Sequence, residues 1–292
     1  MIRHIVFFNT WHLGDLFTTR EWVKHIIQQT PDCVHAYAHK HAAKLTQDMC
    51  AHHPQSDQLT ERLNTYARAI WDAATQTLFI NTWVGAYHEH FEGHPSYLKH
   101  HDIIRTCYDV LREHFALNLT WNPDPWYYVP RINYVKYHMH TVHEFVLKHD
   151  QPKILFCNNE VKSRQSSMGD MQEIIQHMAQ LNPHHVLIVT KKLPLTLPNV
   201  VYTQDLFQVS NDLIETSYLS HYCDMIVGKN SGAHTYTQTY QNLKNPRKKF
   251  VCFSHDVNHT LPHALNVSCV QKWSNQLDTQ ACVHLLQETL HA

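Results

Sequence analysis

The chain of 292 residues has little glycine, no long apolar run and no excess of charge of either sign. Its apolar segments fall well short of the roughly 18 residues that a membrane-spanning helix needs. The 24 basic side chains nearly balance 25 acidic ones, and the only basic tract, Arg247–Lys249, is short. This balance excludes the electrostatic footprint of a nucleic-acid partner. Because 43% of the residues are hydrophobic, we expect a packed globular protein.

Cysteine and histidine lack the spacing that metal sites show. The eight cysteines are dispersed without a CxxC pair, which is typical of reduced, buried thiols in a cytosolic protein. The 28 histidines are spread along the chain, and pairs such as His88/His90 and His138/His140 have no carboxylate or cysteine at a spacing that completes a ligand set. We therefore expect no metal site. The apolar run at the N-terminus is too short for a signal peptide, so we expect a cytoplasmic protein.

The first half of the chain alternates β-forming runs with helical patterns. Ile2–Phe8 reads as a strand that leads through a loop with Gly14 into a helix over Thr18–Gln29. The same patterns predict strands at Cys33–Ala38 and Thr77–Val84, and helices at His41–Met49, Leu59–Ala73, Tyr97–Phe115 and Ile132–Lys148. Three prolines exclude a regular element in Trp121–Pro130. Such alternation indicates a mostly parallel sheet covered on both faces.

The alternation starts afresh after Pro152, and we place a domain boundary between residues 150 and 151. Ile154–Cys157 is the first predicted strand of the second sheet. The patterns predict further strands at His185–Thr190, Val200–Thr203, Asp224–Val227, Phe250–Phe253 and Val267–Val270, and helices at Asp170–Leu181, Asn211–Tyr222, Ala233–Gln241 and Thr279–His291. Two α/β domains, 1–150 and 151–292, would leave a cleft at the carboxyl ends of their strands, where such folds bind ligands.

Two loops of the second half carry groups that suit a phosphate. Gly228 and Gly232 flank Lys229 and Ser231 between a predicted strand and helix. Amides at that helix start, with the Ser231 hydroxyl and the Lys229 ammonium, form a site suited to a pyrophosphate, although a helix cap without a ligand is the alternative.

The second such loop follows the strand Ile154–Cys157. Lys162 and Arg164 lie in it and can reach the same phosphates, neutralising the charge of a leaving nucleotide. A loop that is merely solvated is the competing interpretation for these two side chains.

The loop Asn9–Asp15 follows the first strand and ends in a carboxylate. Asp15 is placed to take a proton from an acceptor hydroxyl, and His12 is an alternative base because its ordinary pKa lies near neutrality. Asp15 as a helix cap is the competing interpretation. Aromatic rings stack on sugars but are more often buried in cores. The candidate acceptor contacts in this half are Gly14, Trp11, Trp83, Tyr87 and His88.

The loop Leu13–Asp15 and the turn Asn230–His234 resemble the ADP-heptose:lipopolysaccharide heptosyltransferases and related GT-B glycosyltransferases of glycosyltransferase family 9. In that family a Gly-Asp pair supplies the base, and an Asp-Ser/Thr-Gly-x-x-His turn cradles the donor diphosphate. Here Asn230 stands in place of the aspartate, and His234 lies one position earlier than the family histidine. The resemblance implies the following site: Asp15 as base, Ser231, Gly232 and Ala233 as diphosphate-binding amides, and Lys162 as a phosphate-contacting lysine.

The resemblance implies a GT-B-like α/β fold of two Rossmann-like domains, with the donor in the C-terminal one. It also implies an inverting, metal-independent hexosyl-, pentosyl- or heptosyltransferase that needs no cofactor beyond its nucleotide-sugar donor. The acceptor would be a hydroxyl of a glycan or a glycolipid such as lipopolysaccharide, and a peripheral membrane contact stays open. Two alternatives also stay open: a nucleotide-sugar epimerase that uses His234 and His255, and a non-catalytic nucleotide- or sugar-binding protein.

Overall fold

A computed structural model describes residues 1–9, 13–39, 41–53, 63, 67–90, 97–161, 166–209, 211–255, 257 and 265–292. The chain forms two compact units, Met1–Tyr137 and His138–Ala292. Sequence analysis placed the boundary at 150/151, so the helix at His140–Lys148 falls in the second unit instead of the first. That helix packs against the helix Leu213–Leu219 of the second unit, which accounts for the earlier division.

The first unit contains a five-stranded sheet. Its strands are β1 (His4–Phe8), β2 (Val34–Ala38), β3 (Ala51–His52), β4 (Ala69–Asp72) and β5 (Thr77–Asn81). Their order is β3-β2-β1-β5-β4, and every pair is parallel except β4 with β5. β5 is buried along its whole length, as expected of a strand covered on both faces.

The second unit contains a six-stranded, fully parallel sheet in the order β11-β10-β9-β6-β7-β8. The strands are β6 (Lys153–Cys157), β7 (Val186–Val189), β8 (Val200–Tyr202), β9 (Met225–Gly228), β10 (Lys249–Phe253) and β11 (Val270–Ser274). The central strands β6, β7 and β9 are entirely buried. Their short apolar runs are what the sequence offers for strands that are packed on both faces.

The helices cover these sheets through apolar stripes. They are α1 (Leu13–Thr18), α2 (Arg20–Gln29), α3 (Ala42–Leu45), α4 (Tyr97–Phe115), α5 (His140–Lys148), α6 (Gln172–Leu181), α7 (Thr203–Phe207), α8 (Leu213–Leu219), α9 (Gly232–Tyr236), α10 (Tyr240–Lys244) and α11 (Thr279–His291). In the second unit, Ile175 and Met178 of α6 and Leu286 of α11 belong to one core cluster with the strands. The Asp278 carboxylate accepts the Ala281 amide at 2.8 Å and so caps the start of α11.

Several predicted elements were wrong in type or extent. The segment Leu59–Ala73, predicted as a helix, contains the strand β4. A turn over residues 73–76 connects β4 to β5, and the two strands pair antiparallel. In this turn the Asp72 carboxylate accepts the Ala74 amide. The predicted helix Ala233–Gln241 is two short helices, since the Thr239 hydroxyl accepts the Asn242 amide and so caps a new helix that begins at Tyr240. The helix predicted from Ile132 begins only at His140.

A buried ion pair joins three segments of the first unit. The Arg20 guanidinium on α2 pairs with the Asp48 carboxylate, and both side chains are fully buried. Asp48 also accepts the Tyr137 hydroxyl at 2.7 Å and the Asn133 amide at 3.0 Å. Burial alone would raise the pKa of Asp48, but the Arg20 and Lys24 charges and the hydrogen bonds from Arg20 and the Asn133 amide lower it to about 2. The pair therefore holds α2, residue 48 and the segment 133–137 together.

Asp48→Asn should destabilise the protein strongly, because it leaves the Arg20 charge buried without its counter-charge. The expected loss is about 3–5 kcal/mol in free energy of unfolding near pH 7, measured by urea denaturation. Asp109→Asn is the control, since it breaks an exposed pair with Arg112 and should cost less than about 1 kcal/mol. The lowered pKa of Asp48 predicts that the mutant's deficit shrinks as pH falls from about 4 towards about 2. Equal losses in the two variants would contradict this role.

Candidate functional site

Asp15 lies where the first sheet reverses its winding. β1 pairs with β2 on one side and with β5 on the other, so the chain leaves β1 beside the carboxyl end of β5. Phe8 at the end of β1 is in register with Asn81 at the end of β5. Asp15 follows in the first turn of α1, seven residues after Phe8. In open α/β sheets this switch point is where ligands bind.

The Asp15 carboxyl group is in a poorly solvated place. The residue retains some exposed surface, yet burial raises the pKa of Asp15 from 3.8 to about 7. Among the described residues no side chain donates a hydrogen bond that would hold the carboxylate in its charged form. A carboxyl group with a pKa near neutrality can both accept and return a proton at physiological pH.

A buried polar chain lies beside Asp15 and was missed by sequence analysis. The Tyr37 hydroxyl at the end of β2 hydrogen-bonds the Thr82 hydroxyl at 2.5 Å, and Thr82 Oγ1 donates to the Phe8 carbonyl at 3.1 Å. Burial raises the pKa of Tyr37, and the neighbouring Asp15 charge raises it further. The chain thus ties the carboxyl ends of β2, β5 and β1 together next to the Asp15 carboxyl group.

The candidate acceptor contacts occupy different environments. Trp83 is half-buried, and its ring lies so close to Gly85 that an added Cβ would come within 2.2 Å of it. Tyr87 is 1% exposed, and its hydroxyl donates a hydrogen bond to the Asn81 carbonyl at 2.9 Å. This placement favours a role for the ring in the core and not in contact with a sugar. Gly14 lies in α1, one residue before Asp15. Trp11, His12 and the His88 side chain lie outside the described residues.

The second sheet has its own switch point, between β6 and β9. Cys157, the last residue of β6, is in register with Gly228, the last residue of β9. The loops that follow these two strands are therefore neighbours at the same edge of the sheet. They are the two loops in which sequence analysis placed the donor contacts. Lys162 and Arg164 lie outside the described residues, so their roles stay predictions.

Asn158 joins the loops at this edge, although its residue type gave no signal of it in the sequence. The side chain is fully buried and donates to the carbonyls of Asp170 at 3.2 Å and Lys191 at 3.0 Å. Its Oδ1 accepts the Lys191 amide at 2.7 Å. One amide group therefore fixes the loop after β6 to the loop after β7.

The turn after β9 is built by local backbone chemistry. Asn230 has φ of 38°, the left-handed region that asparagine tolerates better than most residues. Ser231 then caps α9 by accepting the His234 amide at 3.4 Å. Lys229 is 5% exposed, and its ammonium donates to the Gly169 carbonyl at 2.8 Å. Burial lowers the pKa of Lys229, and the positive charge of Lys191 lowers it further.

α9 has only five residues, and the Ser231 cap is the arrangement that the ligand-free interpretation required. The cap accounts for the His234 amide, and the Thr235 amide bonds the Ser231 carbonyl. The amides of Gly232 and Ala233 precede the first intrahelical donor. Their predicted contact with a diphosphate stays a prediction.

The His234 side chain faces inward from α9. It is 1% exposed, and its ring lies against Gly228, where an added Cβ would stand 2.5 Å from the ring. Burial lowers the pKa of His234 to about 4, so the imidazole is neutral at pH 7. This placement favours a packing role for the ring. His255, its partner in the epimerase alternative, is exposed and lies 3.0 Å from the Ser167 hydroxyl.

A cavity of about 460 Å³ lies elsewhere in the second unit. Its lining includes His149, Gln151, His185 and Asn199, which precede strands, so the cavity lies at the amino ends of β6, β7 and β8. That edge is opposite to the loops described above. Ligands of open α/β sheets bind at the carboxyl ends, so we place the candidate site in the loops and not in this cavity. Within the described residues, no three histidine, cysteine or acidic side chains could together hold a metal ion.

Comparison with known proteins gives similarity in structure but not in sequence. No protein-family model and no curated protein sequence matches the chain. ADP-heptose lipopolysaccharide heptosyltransferase II of E. coli is similar over 99% of both chains, with a TM-score of 0.58 and 11% identity. The E. coli heptosyltransferase WaaC with ADP-2-deoxy-2-fluoro heptose matches over 98% of this chain and 99% of its own, with a TM-score of 0.54 and 10% identity.

A glycosyltransferase family 9 protein from Veillonella parvula gives a TM-score of 0.52 at 10% identity, over 99% of this chain and 92% of its own. At these identities the likeness shows the fold. The chain therefore has a GT-B heptosyltransferase-like fold, and the expected α/β architecture with mostly parallel sheets is confirmed. None of the described helices is long and apolar enough to cross a membrane.

Gly228→Ala should destabilise the second unit, because the new methyl group collides with the buried His234 ring. We expect a loss of about 1–3 kcal/mol in free energy of unfolding, measured by urea denaturation. Gly169→Ala is the matched control, since nothing lies within 4 Å of its added Cβ, and it should change stability by less than about 0.5 kcal/mol. If Gly228→Ala is as stable as Gly169→Ala, the ring does not pack as described.

Asp15→Asn should change stability in a pH-dependent way. Because the pKa of Asp15 is raised to about 7, the folded chain keeps a proton that the unfolded chain releases above about pH 4. The wild-type protein therefore loses stability as pH rises from about 4 to 7, and the variant does not share this loss. Urea denaturation across that range should show that the free energy of unfolding of the variant increases relative to that of the wild type as pH rises. A constant difference would show that the pKa of Asp15 is ordinary.

Proposed function

We propose that this protein is a glycosyltransferase that transfers a sugar from a nucleotide-diphosphate sugar to a hydroxyl group of a glycan or glycolipid. The second unit binds the donor and the first unit supplies the base. The observation that carries the proposal is a carboxyl group with a pKa near 7 at the switch point of a heptosyltransferase-like fold. The structural relatives whose names include ADP or an ADP-heptose analogue support a nucleotide-sugar donor.

Asp15 is the proposed general base. As the acceptor oxygen attacks the anomeric carbon, its proton passes to the Asp15 carboxylate while the bond to the nucleotide diphosphate breaks. An inverting reaction proceeds by a single displacement, in which the acceptor oxygen itself attacks the anomeric carbon. Such a reaction needs only this one base and no nucleophile from the protein. The raised pKa of Asp15 makes the carboxylate a stronger proton acceptor than an exposed aspartate would be, at the cost of being partly protonated below pH 7.

The donor diphosphate is proposed to lie at the β6–β9 switch point. Its proposed contacts are the amides of Gly232 and Ala233 and the Ser231 hydroxyl, and the sequence adds Lys162 and Arg164 as predicted cations. The departing nucleoside diphosphate gains negative charge in the transition state, and fixed donors and cations stabilise it there without reorganisation. Neither a metal ion nor another cofactor enters this proposal.

Asp15→Asn tests the base directly. The turnover number for sugar transfer should fall by about 10²–10⁴-fold, because the acceptor proton loses its carrier. Affinity for the nucleoside diphosphate should stay within about twofold, since donor binding is assigned to the second unit. For the wild-type protein, kcat/KM should rise with pH and level off above about 7. Asp109→Asn, an exposed carboxylate on α4, is the control and should leave activity unchanged.

The assay follows release of nucleoside diphosphate from ADP-, UDP- and GDP-sugars with a panel of glycan and glycolipid acceptors, after thermal-shift screening for the nucleotide that stabilises the fold. Transfer that survives Asp15→Asn would overturn the assignment of the base. Conversion of the donor to its epimer without an acceptor would identify the epimerase alternative. Binding without turnover of any donor would identify the non-catalytic one.

A further inference from the structure

The loop after β7 places a second lysine at the edge where the donor is proposed to bind. Thr190 follows β7 directly, and its amide bonds the Phe156 carbonyl of β6 at 3.0 Å, so this loop emerges beside the loop after β6. Lys191 comes next and is exposed. Neither the charge pattern nor the glycine positions of the sequence drew attention to it.

The backbone of Lys191 is fixed although its side chain is exposed. The Asn158 side chain accepts the Lys191 amide at 2.7 Å and donates to the Lys191 carbonyl at 3.0 Å. The same Asn158 amide reaches the Asp170 carbonyl, and Gly169, the preceding residue, accepts the Lys229 ammonium. Three loops are thus locked in one arrangement, and the ammonium of Lys191 extends from a rigid base.

The two lysines at this edge are not equivalent. Lys229 is buried and donates to the Gly169 carbonyl, so its side chain anchors a loop. Lys191 is exposed, and among the described residues it forms neither an ion pair nor a side-chain hydrogen bond. The two cations are close enough for Lys191 to lower the pKa of Lys229, with Asp170 and Glu160 as the nearby acidic groups. Neither lysine forms an ion pair among the described residues. Two like charges this close therefore favour the binding of an anion at this edge of the sheet.

We infer that Lys191 is a phosphate-binding residue that makes the site at the β6–β9 switch point prefer a diphosphate over a monophosphate. The inference rests on the proposed function and extends it to a residue after β7. The exposed Lys191 ammonium contacts the ligand, whereas the buried Lys229 contributes its charge from a fixed position. A diphosphate presents two phosphoryl groups, so each cation can act on one of them, whereas a monophosphate offers a single group to both.

The chain offers a matched control at the next residue. Lys192 is also exposed, but its ammonium pairs with the Asp205 carboxylate at 2.8 Å on α7. Lys191→Met and Lys192→Met therefore remove the same charge from adjacent positions, only one of which is assigned to the ligand. Lys191→Arg keeps a cation that binds phosphate and should restore most of the affinity. All three changes lie on the surface and should leave the thermal midpoint nearly unchanged.

The experiment measures binding of inorganic pyrophosphate and of orthophosphate to the full chain by isothermal titration calorimetry at fixed salt. Lys191→Met should weaken pyrophosphate binding by about tenfold or more and reduce the preference over orthophosphate, because a charge-assisted hydrogen bond is lost. Lys192→Met should stay within about twofold of the wild type. Equal weakening by both changes, or an unchanged Lys191→Met, overturns the inference while leaving the proposed function in place. A wild-type protein that binds neither pyrophosphate nor any nucleoside diphosphate overturns both.

Discussion

The pairing of β6 with β9 on one side and β7 on the other is the constraint on which the candidate donor site depends. Parallel strands are joined by crossover connections. The chain passes from β6 to β7 and β8 on one side of the sheet and then crosses back to form β9 on the other side of β6. The loop after β6 therefore lies beside the loop after β9. The register of Cys157 with Gly228 fixes how closely those loops approach. β1, β2 and β5 repeat the same arrangement in the first unit, where their carboxyl ends meet and Asp15 lies close enough to Tyr37 of β2 for its charge to act on that hydroxyl.

Buried polar side chains convert these meeting points into defined sites. Asn158 in the second unit and the Tyr37–Thr82 pair in the first each bond to backbone or side-chain groups at the ends of neighbouring strands. Because a buried polar group left without a partner is costly, such networks hold one arrangement of the loops. The same desolvation that makes these networks rigid acts on Asp15, and without a stabilising donor among the described residues it raises the pKa of that carboxyl group.

The central strands and the longest helix could be predicted from the sequence because each has a strong local pattern. β6 and β9 are short apolar runs, and the predicted helix Tyr97–Phe115 has those bounds in the structure. Edge elements carry weaker signals. β4 lies within a segment with helical spacing, and its strand conformation depends on pairing with β5, which no local pattern reports. β11 begins three residues later than predicted, because an edge strand with a half-exposed face lacks a continuous apolar run.

For the candidate site, too, the features that depend on local sequence could be predicted and those that depend on distant contacts could not. The positions of the loops follow from glycines and strand ends, and the sequence located the loops after β1, β6 and β9. The directions of side chains do not follow from it. From the sequence of the turn alone, Lys229 and His234 are predicted to contact a ligand. In the structure the Lys229 ammonium donates to the carbonyl of residue 169, and the His234 ring packs against Gly228. The Lys229 contact depends on a partner distant in sequence, as does the fixing of Lys191 by Asn158, whereas the His234 placement depends on how the turn after β9 folds back over Gly228.

The asparagine at position 230 connects backbone geometry with the charge of the site. Its left-handed conformation is one that aspartate and asparagine both tolerate, so the aspartate of the motif that this turn resembles and Asn230 can support the same turn. Compared with the aspartate of the motif that this turn resembles, Asn230 leaves the loop that also carries Lys229 with one negative charge fewer. Asp170 and Glu160 are acidic groups whose charges act on Lys229, and without an aspartate at position 230 the edge of the second sheet is more positive than the motif it resembles would make it. A more positive edge attracts a polyanionic ligand more strongly, and the affinity should then fall more steeply with ionic strength.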